Sequence, residues 1–227
     1  MRMAGIALII SLTAGPCAGM EISRITNCAG VDVLKLRGLI GPGDYARFRS
    51  YLGDQRRIAG LDLDSPGGSL YEGFRIAILT RQKRLSTFVS NECDSACAFI
   101  FMVGNKRYAS KQAKIGVHAV GNNYGGEDSG TIRDTIRLAR LSAKFGIASS
   151  TIGKMVTTPP GKIAFLDATN LSALKIILRD PFKADGAKNC DRKSFEASAT
   201  GDALIKADSG AGIRSGTRAH LSRLPIK

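Results

Sequence analysis

Three short stretches of this 227-residue chain hold side chains that could together form a nucleophile, a base and an anion-binding turn. The first, Cys93-Asp94-Ser95-Ala96-Cys97-Ala98-Phe99, sets a serine between a β-rich run and an almost wholly apolar helical run. A hydroxyl at such a junction can point into a cleft, and the N–H of Ala96 is then the natural donor to a developing oxyanion. The second, Lys114-Ile115-Gly116-Val117-His118, reads as a strand ending in a histidine. Only two histidines occur, and His220 lies far down the tail, so His118 alone offers a general base to a serine. The third, Asp64-Ser65-Pro66-Gly67-Gly68-Ser69, follows a buried-strand pattern and precedes a helical one. Its two glycines let the backbone approach a ligand and turn N–H groups outward. Each stretch also has a plain reading. Asp94 or Ser95 can cap a helix, Pro66-Gly67-Gly68 can be a simple turn, and a lone histidine can be structural.

The elements that would position these residues alternate short strands with amphipathic helices, which argues for an α/β architecture with much parallel pairing. Strand patterns fall at 33–40, 58–63, 86–90, 107–109, 114–118 and 163–166. Helical patterns fall from Asp44 to about Leu52, from Ser69 through Ile78, over 95–103 and 131–145, from about Ser149, and over 171–178. Residues 121–130, rich in Gly and Asn, form a loop, and 181–227 read as a loosely ordered basic tail. The domain therefore spans 20–180.

Residues 1–19 read as a signal peptide. Arg2 supplies the positive start, Ile6 to Leu12 the apolar run and Gly15-Pro16-Cys17-Ala18-Gly19 the small-residue end, with cleavage after Gly19. The implied location is periplasmic or secreted; an uncleaved anchor or an acylated Cys17 ranks behind it. The formal charge is +14, and Arg2 is the only charge before residue 20. Such a balance favours acidic partners. On the 131–145 helix Arg133, Arg137, Arg140 and Lys144 recur along one face, beside an apolar stripe of Ile132, Ile136, Ala139 and Ala143. The row reads either as a docking face for an acidic partner or membrane surface, or as a solvated face. It lacks the aromatics that stack on bases, so nucleic acid is not expected.

Export would remove Cys17 and leave Cys28, Cys93, Cys97 and Cys190, an even number in an oxidising compartment. A helical turn between Cys93 and Cys97 puts their Cα atoms roughly 6 Å apart, within disulfide reach. Cys28 with Cys190 is then the remaining pair. With two histidines and no CxxC, a zinc site is disfavoured, and no nucleotide motif or other cofactor signature occurs.

Taken in order, Ser65-Pro66-Gly67-Gly68, then small-Ser95-Ala96-small before a buried helix, then His118, the chain resembles the Clp protease family of the Clp/crotonase superfamily. It is similar above all to exported bacterial Clp-like proteins in which cysteines flank the serine. The likeness runs from about Val31 to Leu178. It implies repeated β-β-α units with a helical handle region after His118, Ser95 as nucleophile, His118 as base, and Gly67, Gly68 and Ala96 around the oxyanion. It also implies self-association and a polypeptide substrate. The acid of the triad does not match: if Phe165 is the family's aromatic, its position holds Ile163. Asp167 is near, either as the acid or as a helix cap. Loss of the acid can cost ~10⁴ in rate. Two functions follow, a serine peptidase or amidase, and a catalytically impaired Clp-like binding or assembly protein. A crotonase-like acyl-CoA enzyme ranks third.

Overall fold

The structure, a computed structural model, describes residues 19–27, 30–53, 57–122 and 124–183. Cys17, Cys28, Cys190 and His220, and nearly all of the expected leader and tail, lie outside the described residues.

A seven-stranded sheet forms the centre, in the order β1 (Glu21–Thr26), β2 (Asp32–Arg37), β3 (Ile58–Ser65), β4 (Ser86–Asp94), β6 (Lys114–Val117) and β7 (Ala164–Phe165). The remaining strand, β5 (Arg107–Ala109), pairs with β4 off this path. β2, β3 and β4 are mutually parallel, as the alternation of strands and helices predicts. One edge of β4 serves two strands in succession: residues 87–89 pair with β5 and residues 92–94 with β6. That is why β4 runs to Asp94 rather than ending at Ser90, and why it delivers Ser95 directly beside the end of β6. β1, antiparallel to β2, is an addition to the expected strands.

The helices are α1 (Asp44–Gly53), α2 (Leu70–Gln82), α3 (Ala96–Met102), α4 (Ser129–Lys144), α5 (Ser149–Thr157) and α6 (Ala168–Ala173). All seven residues of α3 are buried. Period-2 alternation along β3 sends Leu61 and Leu63 into the core they share with Leu34, Leu36, Phe48, Ile76 and Phe101. Phe99 of α3 stacks on Phe74 of α2 at 5.7 Å and on Phe145 at 6.3 Å, which locks the helix behind the serine. Arg107 donates to the carbonyls of Met102 and Leu174, closing the C-terminal ends of α3 and α6 with one cation.

Helix starts follow their caps. Ser69 Oγ accepts the N–H of Glu72. Asp128 and Thr131 form a reciprocal capping box, so α4 begins at Ser129, two residues ahead of the sequence expectation. The expected helix over 171–178 is replaced by a shorter one. α6 starts behind the Asp167 cap and ends at Ala173, and Lys175 turns the chain at φ 53°. Ile177 then bridges Tyr108, donating to Arg107 O at 3.0 Å and accepting from Ala109 N at 3.1 Å. The open edge of β5 outcompetes continued helix. Beyond Pro181, Phe182 still belongs to the body, packing edge-on against Phe88 at 6.2 Å and accepting from Asn27 at 3.0 Å.

Left-handed backbone costs a non-glycine residue about 1 kcal/mol, so Lys175→Gly should raise the melting temperature by a few degrees. A helix continuing through 178 would instead lose stability with that substitution, and thermal unfolding of the two proteins decides between them.

Candidate active site

β3, β4 and β6 end side by side, and each supplies one of the three stretches. Ser95 occupies the cap position of α3, yet its side chain makes no capping bond, and its backbone is held at φ 56°, ψ −121°. A serine in the left-handed region is strained, and here neighbours hold it: Ser95 N–H donates to Gly116 O at 2.9 Å. The capping reading of Asp94 or Ser95 therefore gives way, and the half-buried hydroxyl is left for other work.

Gly67 (φ 93°) and Gly68 (φ 130°) turn the chain leaving β3 directly against that serine. A Cβ on Gly67 would stand 2.6 Å from Asp94 O and 2.8 Å from Ser95 Cβ, and one on Gly68 would overlap the Ile40 carbonyl. Ile40 clasps the turn from outside, donating to Gly67 O at 2.7 Å and accepting from Ser69 N at 2.8 Å. Gly67 N–H is engaged by Ser65 Oγ at 3.1 Å. Gly68 N–H has no acceptor among the described residues, and Ala96, first in α3, has none one turn back within the helix. Of the three expected oxyanion residues, Gly68 and Ala96 thus have donors to offer, while Gly67 provides the close approach.

Ser95, Ala96, Gly68 and His118 line one cleft of about 1010 Å³. Its walls include Leu70, Phe74, Phe99, Met102, Leu138 and Met155, with Arg75, Asn122, Asp134 and Arg137 among its polar lining. His118 Nδ1 lies 2.6 Å from the carbonyl oxygen of Ala119. A carbonyl oxygen only accepts, so this contact uses Nδ1–H, which in the neutral ring leaves Nε2 as the acceptor. Beneath the serine, Cys93 and Cys97 form the expected disulfide, with Cα atoms 5.2 Å apart and both side chains buried. A loop this short stabilises by only about 2 kcal/mol in the chain-entropy account; its local effect is to tie the last strand residues to the first turn of α3, with Ser95 between them.

The acidic residues are disposed differently. Asp167 accepts from Asn170 N at 2.9 Å and from Lys154 Nζ at 2.8 Å. Both contacts favour its charged form and hold its pKa below the usual carboxylate value, the Lys154 bond most strongly. It thus performs the capping role that was one of its two expected readings. Ile163 lies against Gly116, where the side chain of Asp94 also lies. Asp94 was not singled out as a site residue. It is 1% exposed, neither of its oxygens has a hydrogen-bond partner among the described residues, and its carboxyl is pushed up to about 7, first by burial and then by the neighbouring Glu92. The only sequence signal for it is an acid flanked by Cys93 and Ser95.

On α4, Arg133, Arg137, Arg140 and Lys144 are all exposed, and Arg137 pairs with Asp134 at 3.1 Å at the cleft rim. The buried face is Thr131, Thr135, Leu138 and Ser142, so Ile132 and Ile136 stand 50% and 46% exposed.

This sheet, with Ser95 on the turn after β4, has a Clp protease-like fold. A solved structure of a point variant of ClpP1 from Listeria monocytogenes superposes with a TM-score of 0.51 at 18% sequence identity, covering 66% of this chain and 92% of that one. No protein-family model and no curated protein matches the sequence.

A carboxyl pKa raised by folding contributes stability that is complete below the unfolded value near 4 and lost as pH rises through about 7. Asp94→Asn, which stays neutral, should therefore raise the melting temperature above pH 7, with the gain fading toward pH 4. A difference that is flat across pH 4–8 would refute the burial of this charge.

Proposed function

We propose that the chain is an exported serine hydrolase of the peptidase or amidase class, with Ser95 as nucleophile and His118 as general base. The observation that carries this reading is the uncapped, left-handed Ser95 in a cleft shared with His118. Ser95 Oγ attacks a carbonyl carbon as His118 Nε2 removes its proton. The oxyanion forms beside the N–H groups of Gly68 and Ala96. The imidazolium returns the proton to the leaving amine, and water repeats the sequence to release the acyl group. The mainly apolar wall of the cleft suits a polypeptide with apolar side chains.

In this reading the Ala119 carbonyl holds the ring where a carboxylate would in a full triad. It fixes the tautomer, but as a neutral group it offsets the imidazolium charge less well, so turnover is slow. Asp167, engaged by Lys154 and by α6, is the weaker claimant to that role. The same feature favours the second reading, a Clp-like binding or assembly protein that keeps the cleft with little or no catalysis.

Three further elements belong to the proposal. The buried Cys93–Cys97 bridge supports an oxidising, periplasmic or secreted location. α4 and α5 correspond to the handle of a crotonase-like repeat architecture. The exposed Ile132 and Ile136 on α4 support self-association through it, with the row Arg133, Arg137, Arg140 and Lys144 left to an acidic partner or membrane surface.

A fluorophosphonate probe should add to Ser95 in the purified mature protein, and Ser95→Ala and His118→Ala should each reduce labelling at least a hundredfold. Sedimentation of the same sample should show species larger than one chain. An unlabelled but folded protein would overturn the hydrolase reading in favour of the binding protein, and a single-chain species would remove the handle assembly.

A further inference from the structure

The carboxylate of Asp44, at the start of α1, is fully buried, yet it serves the very beginning of the described chain. Its Oδ2 accepts the N–H of Met20 at 3.0 Å and of Gly41 at 2.7 Å, and its Oδ1 meets Arg47. Arg47 also donates to Met20 O, and its side chain is 48% exposed. Met20 itself is 1% exposed, so an apolar anchor fixes this nitrogen against the carboxylate. Gly19 is wedged alongside: a Cβ there would stand 2.8 Å from Asp44 Oδ1 and 3.0 Å from Arg47 Nη2. Leader peptidases require a small residue at the position before the cut. The fold thus asks for glycine at the residue where processing also asks for a small one.

We propose that hydrolysis of the Gly19–Met20 bond creates a buried ion pair between the new α-ammonium of Met20 and Asp44. The inference rests on the leader reading given above and does not depend on the hydrolase reading. In the cleavage, water supplies a hydroxyl to the Gly19 carbonyl and a proton to the Met20 nitrogen, which takes up a second proton near neutral pH. One neutral N–H beside a buried carboxylate becomes a cation with three N–H donors. Among the described residues the charged partner of this buried carboxylate is Arg47, itself half-exposed, so the ammonium adds a second cation to a carboxylate already out of water. The groups facing the amine are Asp44 and Arg47.

The consequence reaches the candidate active site through one backbone-to-carboxylate bond and two backbone–backbone bonds. Gly41 N–H shares the Asp44 oxygen with Met20, and its neighbour Ile40 clasps Gly67 and Ser69 on either side of the glycine turn. Processing therefore tightens the segment that presents Gly68 to the cleft. A chain that keeps its leader folds with a looser turn.

The test starts from the full chain produced in an exporting bacterium, with the mature N-terminus read by intact mass and terminal sequencing. Met20 should be first. Chains starting at Met20 and at Gly19 are then compared, each with and without Asp44→Asn, by thermal and urea unfolding. The extra glycine should lower the folding constant at least tenfold in the Asp44 background and leave it nearly unchanged with Asp44→Asn. If Asp44→Asn does not fold, acylation of the α-amine by an N-hydroxysuccinimide ester gives a second readout. It should be at least tenfold slower in the folded Met20 chain than in urea. An N-terminus elsewhere overturns the leader reading and the ion pair together. A Met20 terminus overturns the ion pair alone if Gly19 makes no difference to stability, if the difference survives Asp44→Asn, or if the amine acylates equally fast folded and unfolded.

Discussion

The end of the sheet that carries Ser95 depends on a close approach of two backbones. The turn leaving β3 lies so near the turn leaving β4 that a single methyl on Gly67 would press into Asp94 O and Ser95 Cβ. That approach lets the Gly68 and Ala96 N–H groups share a cleft with the serine. The arrangement is held from three sides, by Ile40 bracketing the glycines, by Gly116 O on the Ser95 amide and by the Cys93–Cys97 bridge beneath. The strained φ of Ser95 persists because none of these neighbours leaves it another conformation.

Much of this was legible in the sequence for a physical reason: buried parallel strands, amphipathic helices and glycine turns each have local signatures. The strands leading to Gly67 and His118 could be placed from period and punctuation alone, while the pattern of the strand leading to Ser95 stops short at Ser90. What was not legible came from pairing across the fold. β4 extends to Asp94 because β6 fills its far edge, and the 171–178 pattern breaks at Lys175 because β5 offers an open edge. The short strand β1, paired with β2, and the service of Asp44 to Met20, 24 residues away, arise the same way. The apolar stripe on α4 was visible, but not that Thr131, Thr135 and Ser142 would be the buried side of that helix.

The carboxylates show how environment separates residues of one type. Asp167 is exposed, paired with Lys154 and held charged; Asp94 is buried beside Glu92 and resists ionisation. Neither is bonded to His118, whose Nδ1 instead meets the Ala119 carbonyl. In this Clp protease-like fold the serine, the histidine and the glycine turn line one cleft, and the histidine ring is steered by a backbone carbonyl rather than by a carboxylate.

Hydrogen exchange across 64–69 and 93–99 in the wild type and in Gly67→Ala tests the backbone approach most directly, because it needs no catalytic turnover. The account predicts that the Ser95 and Ser69 amides, slow in the wild type, exchange at least tenfold faster in the variant while β2 and β3 remain protected. Unchanged exchange in a folded Gly67→Ala protein would contradict it, because the two turns would then not be in contact.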